Sequence, residues 1–336
     1  MRPPRIRLLA ASALALALSL GNLGQRAHAA QPRAGLTTVT VIMDWPVPWL
    51  GWSPWLVADA LGYFKQEGIA LKIVPPATVA DPAKILGTGR ADLGFTTILD
   101  VIEGKAQGIP ITGIGAYAQY NNWGVISWKS DHLTAKDLKG KTIGVYPDAW
   151  SKTQLTIMLH HLGIAINQVK LIYTSDDTVP LLLARKVDVI TGTTNAEQAE
   201  AEVNGKRPTS IFLSNQYGVP NAYIQVFAAN DSFAKAHPAL VKAWLRATRR
   251  GLTYALAHPA DVVNIFMKRF PSAATRPYAT SSWAKTAPLF GSTFTKAHGY
   301  FWQTSDVWQS TQQVLLQYKI IDQTVPVSTL YTNSYL

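Results

Sequence analysis

Cysteine is absent from the sequence of 336 residues, and charge is sparse. Without cysteine, disulfide bridges, thiolate metal sites and cysteine nucleophiles are excluded. Only 15% of the residues are charged whereas 48% are hydrophobic, so the chain can bury a large core and is not a disordered polymer. At roughly 100–200 residues per domain, this length predicts one large domain or two medium ones.

Long apolar runs are scarce too, and the longest lies near the N-terminus, from Leu8 to Leu20. It is followed by the small-x-small cleavage pattern Ala27-His28-Ala29 and preceded by Arg2, Arg5 and Arg7. This arrangement predicts a secretory signal peptide over residues 1–29, because the run is shorter than the roughly 20 residues of a membrane-spanning helix. Cleavage would remove four arginines and no acid, which lowers the formal net charge from +11 to +7.

The remaining positive charge is scattered along the chain, and aromatic residues do not interleave with it as they do in a nucleic-acid groove. We therefore expect no nucleic-acid partner. Since no cysteine follows the apolar run to carry a lipid, the sequence predicts a freely diffusing, monomeric protein of the periplasm.

Catalytic and metal-binding motifs are also missing. The sequence contains no G-x-S-x-G, Walker lysine or H-E-x-x-H motif. His160 and His161 are adjacent, so they lie on different helix faces and cannot chelate one ion as an i, i+4 pair does. Residues 113–118 fit G-x-G-x-x-A formally, but the polar stretch after them favours close backbone packing over phosphate binding. We predict no catalytic residue, metal or cofactor; a Ser-His-Asp arrangement stays open.

Short β-type apolar runs alternate with helical ones, which is typical of an α/β protein with largely parallel strands. Predicted strands include Val39–Met43, Asp188–Thr191 and Tyr223–Ala228, and predicted helices include Pro54–Gln66, Asn195–Asn204 and one beginning at Asp81-Pro82. From Asp231 onwards the chain is mainly helical. If this tail returns to cover the first set of βα units, two lobes face one another across a cleft, which is a preferred place for small-ligand sites.

The most unusual segment runs from Asp44 to Trp55 and contains four tryptophans and three prolines directly after a predicted strand. Loops at this end of an α/β sheet point towards ligands. Large rigid aromatic rings stack on flat ligands, and prolines lower the entropy cost of holding the loop open. Trp45 ends the strand and is therefore predicted to contact the ligand, whereas Trp52 and Trp55 either do so or pack beneath the next helix.

Polar side chains follow three other strand ends. Glu197 opens a helix, where it either caps that helix or accepts hydrogen bonds from an amine or aminopyrimidine. The segments Phe95-Thr96-Thr97 and Trp150-Ser151-Lys152-Thr153 present hydroxyl and free N–H groups at helix starts. Such groups suit an anion, although hydroxyl capping is the commoner reason for them.

Taken with these residues, the chain over residues 38–336 resembles a family of solute-binding proteins for ABC importers, which groups thiamine-pyrimidine-precursor binders with alkanesulfonate, taurine and nitrate binders. The resemblance rests on Asp44-Trp45, on residues 58–68, 89–94 and 106–110, on the Asp137–Lys141 turn, and on residues 187–190 and 237–241. The pyrimidine-precursor branch is favoured by Asp44-Trp45, by the helix from Ala196-Glu197 to Gly205, and by the ending Tyr331–Leu336.

The resemblance implies a two-lobe, type II periplasmic-binding-protein fold, in which each lobe is a mixed, mainly parallel sheet flanked by helices. Lobe one is predicted over residues 37–122 plus 229–336, and lobe two over residues 123–228. The implied function is to capture a small, flat, nitrogen-bearing solute and deliver it to an ABC permease, without enzymatic activity. The predicted ligand-binding residues are Trp45, Glu197, Asp44, Trp49, Trp52, Thr96, Thr97, Tyr117, Asn121, Ser151 and Asn195.

Two alternatives remain open. The first is an anion such as a sulfonate, taurine or nitrate, held by Thr96, Thr97, Ser151 and Lys152. The second is an enzyme of the pyrimidine-precursor synthase type, which would need a cofactor lysine, cleft histidines and a cytosolic address. Eukaryotic relatives of that type have a histidine in the loop after the Asp-Trp pair and cysteine-bearing motifs, whereas this chain has the more apolar Pro46–Pro54 stretch there.

Overall fold

The computed structural model describes residues 35–78, 82–175 and 177–336. The predicted signal peptide and the predicted helix cap Asp81 lie outside the described residues. In chain order the strands are β1 Thr37–Ile42, β2 Ile69–Val74, β3 Leu93–Thr97, β4 Ile111–Ala116, β5 Trp123–Trp128, β6 Thr142–Val145, β7 Lys170–Tyr173, β8 Val189–Thr193, β9 Thr209–Leu213 and β10 Gln225–Asn230.

Helices cover both sheets and make up most of the C-terminal part. In chain order they are α1 Ser53–Ala60, α2 Tyr63–Gln66, α3 Pro82–Gly87, α4 Ile98–Ala106, α5 Ala149–His161, α6 Val179–Leu183, α7 Glu197–Gly205, α8 Asp231–Ala236, α9 Pro238–Ala257, α10 Pro259–Arg269, α11 Arg276–Thr286, α12 Thr293–His298 and α13 Ser305–Gln317. Within the described ranges, no helix is both long enough and apolar enough to cross a membrane.

The strands form two five-stranded sheets within the described residues. The first has the order β2-β1-β3-β10-β4, and the second has the order β7-β6-β8-β5-β9. Each is mixed: β10 runs antiparallel to β3 and β4, and β5 runs antiparallel to β8 and β9, while the other pairs are parallel. Parallel strands covered on both faces are expected to be rich in buried Val, Ile and Leu, as these are.

The helical tail returns to the first sheet, as the alternation of elements predicts. A Cβ at Gly113 on β4 would lie 2.8 Å from the Trp308 ring on α13, so the small residue lets this helix approach the strand. Gly251 on α9 allows the same close approach to the Pro54 carbonyl on α1. Gly113, which belongs to the G-x-G-x-x-A pattern of residues 113–118, therefore serves close packing.

Three elements differ from their predicted form. The single helix predicted over Pro54–Gln66 is split into α1 and α2, because Gly62 between them adopts a left-handed conformation with φ of 71°. Strand β9 was not predicted. Strand β10 begins at Gln225 and pairs in the first sheet, ahead of the predicted return to lobe one at residue 229.

Candidate functional site

A cavity of about 660 Å³ lies where the two sheets face one another. Its walls come from the ends of β1 and β3 on one side and from the ends of β6 and β8 on the other. Helix α11 of the tail contributes Tyr278. Cavities of this size hold small ligands, and loops after parallel strands are their usual place.

The lining of this cavity is strongly acidic. The carboxylates that line it are Asp44, Asp100, Glu103, Asp148, Asp177, Glu197 and Glu200. Among the described residues, Lys84 is the one basic side chain in the lining. A cavity walled by one sign of charge raises the local concentration of the opposite charge, so this one attracts cations and hydrogen-bond donors. Groups of three or more side chains placed to hold a metal ion are not found in the described ranges.

Asp44 is held at the end of β1 by the tryptophans that follow it. Its Oδ1 accepts hydrogen bonds from Nε1 of Trp49 at 3.2 Å and of Trp52 at 3.1 Å, and its Oδ2 accepts one from Gln225 at 3.1 Å. Burial raises the pKa of Asp44 to about 6 in spite of these donors. Trp52 is fully buried, so it positions Asp44 without lining the cavity, whereas Trp49 does both.

Trp45 makes an aromatic contact across the cavity. Its ring lies edge-to-face with Tyr146, which follows β6 in the other sheet, with ring centroids 4.9 Å apart and planes at 85°. Tyr146 is buried, and its hydroxyl accepts a hydrogen bond from the Thr178 backbone at 3.4 Å. The contact places two aromatic faces at the cavity wall, one from each sheet.

Glu197 begins α7 and is anchored by Thr193, the last residue of β8. Its Oε2 accepts hydrogen bonds from the Thr193 N–H at 2.7 Å and from the Thr193 hydroxyl at 3.1 Å. Burial raises the pKa of Glu197, and these bonds oppose the shift. The turn before it is fixed by buried Asn195, which lines the cavity and donates to Thr286 at 2.9 Å.

Three further groups surround Glu197 and were not predicted. Glu200 hydrogen-bonds Asp177, and burial followed by the charges of Asp177 and Glu197 raises the pKa of Glu200 to about 8. Burial, Glu200 and Glu197 also raise the pKa of Tyr278. Glu200 lies three residues after Glu197 on one helix face, a spacing that identifies it in the sequence. Tyr278 comes from a distant helix and carries no such signal.

A second acidic group lies at the start of α4. Asp100 accepts hydrogen bonds from the hydroxyls of Thr96 at 2.6 Å and Thr97 at 2.7 Å, and from the Thr97 N–H at 3.0 Å. Thr97 caps the helix, which is the commoner of the two interpretations, and the Thr96 hydroxyl is used by Asp100. Burial, followed by the charge of Asp100, raises the pKa of Glu103 to about 7.

The start of α5 carries the third predicted turn. Asp148 caps this helix and accepts a hydrogen bond from the Ser151 N–H at 2.8 Å. Its other oxygen, Oδ2, is buried without a hydrogen-bond partner, and so is Nε1 of Trp150. Both residues line the cavity, whereas Lys152 is exposed and does not.

The structure brings seven of the predicted ligand-binding residues to the cavity wall, namely Asp44, Trp45, Trp49, Thr97, Ser151, Asn195 and Glu197. It does not bring there Trp52, Thr96, Tyr117 and Asn121. These four are buried and take part in hydrogen bonds within the protein.

Tyr117 and Asn121, both predicted to bind the ligand, lie away from the cavity wall. The Tyr117 hydroxyl donates to the Gly51 carbonyl at 2.6 Å inside the aromatic core, where its ring stacks on Trp55. The Asn121 amide donates to Gln154 at 2.7 Å. Buried polar groups need such partners, so these side chains fix the path of the chain between the two sheets.

Gly192, directly before Thr193, leaves the space that Glu197 occupies. A Cβ at this position would lie 2.5 Å from Glu197 Cβ and 2.7 Å from its Oε2. Gly192→Ala is therefore expected to displace this carboxylate and to weaken ligand binding at least fivefold, since overpacking costs about 1–3 kcal/mol. Calorimetric titration checks this. Gly144→Ala in the same sheet, whose Cβ would meet Ile190 at 3.2 Å, is the control and should leave affinity unchanged. Equal affinity in both variants would contradict the expectation.

Curated relatives align with most of the chain. The chain is 26% identical over 312 residues to a 4-amino-5-hydroxymethyl-2-methylpyrimidine phosphate synthase of Legionella pneumophila, covering 89% of this chain and 92% of that protein. It is 25% identical to a putative thiamine biosynthesis protein of Haemophilus influenzae, covering 75% of this chain and 79% of the relative. The first of these names is that of an enzyme. The prediction that the chain has no enzymatic activity is therefore contradicted.

Solved structures share the fold. The periplasmic aliphatic sulphonate binding protein SsuA of Escherichia coli superposes with a TM-score of 0.66 at 13% identity, covering 87% of this chain and 91% of that one. The predicted two-lobe periplasmic-binding-protein fold is confirmed. The sequence model described as NMT1/THI5 like matches residues 50–262, which is more than half of the chain. The chain therefore belongs to the NMT1/THI5-like family.

Proposed function

We propose that the chain binds a small aminopyrimidine of the 4-amino-5-hydroxymethyl-2-methylpyrimidine class in this cavity, and that it delivers the ligand to an ABC permease as a periplasmic solute-binding protein. The observation that carries the proposal is the cavity lining, where seven carboxylates face aromatic rings and one lysine. A flat ring that bears an amino group offers a face to these aromatic rings and hydrogen-bond donors to these carboxylates.

The acidic lining favours an amine over an anion. A sulfonate or nitrate held by Thr96 and Thr97 would need their hydroxyls as donors, yet both hydroxyls donate to Asp100. Lys152, the cation of the anion alternative, is exposed and outside the cavity. An anion entering this site would meet the carboxylates that line it, which is unfavourable.

The two walls of the cavity make different contacts with the ligand. Trp45 on the first sheet offers a ring face, and Glu197 on the second accepts hydrogen bonds from the amino group. Closure of the cleft removes water from both, which strengthens the charge-assisted hydrogen bond and distinguishes the loaded from the empty protein. The names of the curated relatives support the choice of ring, and the fold and the expected signal peptide support the role in import.

A direct test is mass spectrometry of the small molecules that remain bound to the protein purified from the periplasm, followed by calorimetric titration. We expect 4-amino-5-hydroxymethyl-2-methylpyrimidine to bind, and an alkanesulfonate and nitrate not to bind. Lys152→Ala should leave the pyrimidine affinity unchanged. Binding of a sulfonate that is lost in Lys152→Ala, without binding of the pyrimidine, would overturn the proposal.

A further inference from the structure

Trp123, the first residue of β5, carries a hydrogen-bond donor that the protein does not use. The side chain is only 2% exposed and lines the cavity. Its backbone N–H donates to Asn121 at 3.1 Å, but its indole N–H has no hydrogen-bond partner among the described residues. Trp49 and Trp52, by contrast, donate to Asp44. Because Trp123 lines the cavity, this donor is available to a hydrogen-bond acceptor on a ligand there.

Trp123 lies beside the residue that anchors Glu197. In the antiparallel pairing of β5 with β8, Trp123 is directly opposite Thr193. Directly opposite residues of an antiparallel pair place their side chains on the same face of the sheet, within contact distance. Thr193 in turn donates two hydrogen bonds to Glu197. An unused donor and a carboxylate acceptor are therefore neighbours on one wall of the cavity.

We propose that the indole N–H of Trp123 donates a hydrogen bond to a ring nitrogen of the ligand, next to the amino group that Glu197 accepts from. The pair then recognises an N–C–NH₂ edge, in which a ring nitrogen is bonded to the carbon that carries the amino group. This rests on the proposed function for the identity of the ring and adds which edge of the ring is recognised. Sites built to hydrogen-bond a ligand reject analogues that lack the matching group.

The first test compares two ligands in two proteins by calorimetric titration. The ligands are 4-amino-5-hydroxymethyl-2-methylpyrimidine and its analogue with C–H in place of the ring nitrogen beside the amino-bearing carbon. Trp123→Phe removes the donor and keeps a ring, so it should weaken pyrimidine binding about fivefold to tenfold. It should bind the analogue as the wild-type protein does. Equal weakening for both ligands, or none for either, would overturn the inference.

Trp128→Phe is the matched control, because Trp128 ends the same strand, is fully buried and donates to the Leu182 carbonyl away from the cavity. It should lower thermal stability and leave the ratio of the two affinities unchanged. If the wild-type protein does not bind the pyrimidine at all, the proposed function and this inference both fail. If it binds and Trp123→Phe binds equally well, the inference alone fails.

The second test is an NMR measurement on the wild-type protein. The Trp123→Phe variant serves only to assign one resonance. The protein has 11 tryptophans, and the indole ¹⁵N–¹H resonance of Trp123 is the one that Trp123→Phe lacks. In the wild-type protein this resonance should move downfield when the pyrimidine binds and move much less with the C–H analogue. The same shift with both ligands would show that the indole responds to burial alone and would overturn the inference.

Discussion

Glu197→Ala is expected to weaken binding of the aminopyrimidine by roughly 10-fold to 150-fold, since a hydrogen bond to a charged group contributes about 1.5–3 kcal/mol. The carboxylate is buried in the cavity wall and already oriented by two bonds from Thr193, so little entropy is lost when a ligand amine pairs with it. Calorimetric titration measures the loss. Unchanged affinity would remove Glu197 from the site.

Trp45→Phe should have a smaller effect on the same titration. Phenylalanine keeps a ring face against the ligand, and an aromatic pair contributes about 0.5–1.5 kcal/mol beyond area burial, which corresponds to roughly 2-fold to 12-fold in affinity. Glu197→Ala should therefore cost more than Trp45→Phe. The opposite order would mean that stacking dominates recognition and that the carboxylate mainly orders the turn at β8.

Two further variants separate charge from structure at Glu197. Glu197→Gln keeps an oxygen that can accept from Thr193 and removes the charge, so it should retain stability and lose most of the affinity. Glu202→Ala on the same helix removes a partly buried ion pair with Lys285, 2.8 Å away and outside the cavity, and should leave affinity unchanged. A loss of affinity in Glu202→Ala would indicate that α7 as a whole, not one carboxylate, sets binding.

Three of the predicted site residues follow strands in the chain. Asp44 and Trp45 follow β1, Glu197 follows β8, and all three line the cavity. A local pattern can place such residues at a cavity because the ends of parallel strands converge on one edge of a sheet. Tyr278 lies in the same cavity but comes from α11 in the C-terminal part of the chain, so no local pattern encodes its position there.

The structure divides most of the tryptophans into a core set and a cavity set, which the sequence does not distinguish. Of the 11 tryptophans, the six that are fully buried in the core are Trp52, Trp55, Trp128, Trp244, Trp283 and Trp308. Those that line the cavity are Trp45, Trp49, Trp123 and Trp150. The residue type is the same in both sets, so composition alone does not separate them. Position on the cavity wall separates Trp123 from the core set, whereas an unpaired N–H does not, because Trp55, Trp244 and Trp308 in the core also have one.

The unliganded protein is expected to lose stability as pH rises from about 5 to about 8. Burial raises the pKa of Asp44 to about 6, of Glu103 to about 7 and of Glu200 to about 8. In the unfolded chain these carboxyls ionise near pH 4. Within the window the folded protein holds protons that the unfolded chain has released, so the free energy of unfolding falls with rising pH. Carboxyls with a lowered pKa, such as Asp131, change the free energy of unfolding only at a pH below this window.

These side chains are partly exposed, so their full pKa shifts overstate the effect on stability. We expect the free energy of unfolding to fall by roughly 2–4 kcal/mol, and Tm by several degrees, between pH 5 and pH 8. Thermal melts at fixed ionic strength measure this loss.

Glu200 faces Asp177, Glu197 and Tyr278, so Glu200→Gln, which cannot ionise, should flatten the dependence of Tm on pH and raise Tm at pH 8. A cationic ligand pairs with the ionised carboxylates, so its stabilisation should grow over the same window. A Tm that rises from pH 5 to pH 8 would show that these carboxyls are already ionised and solvated in the empty cavity.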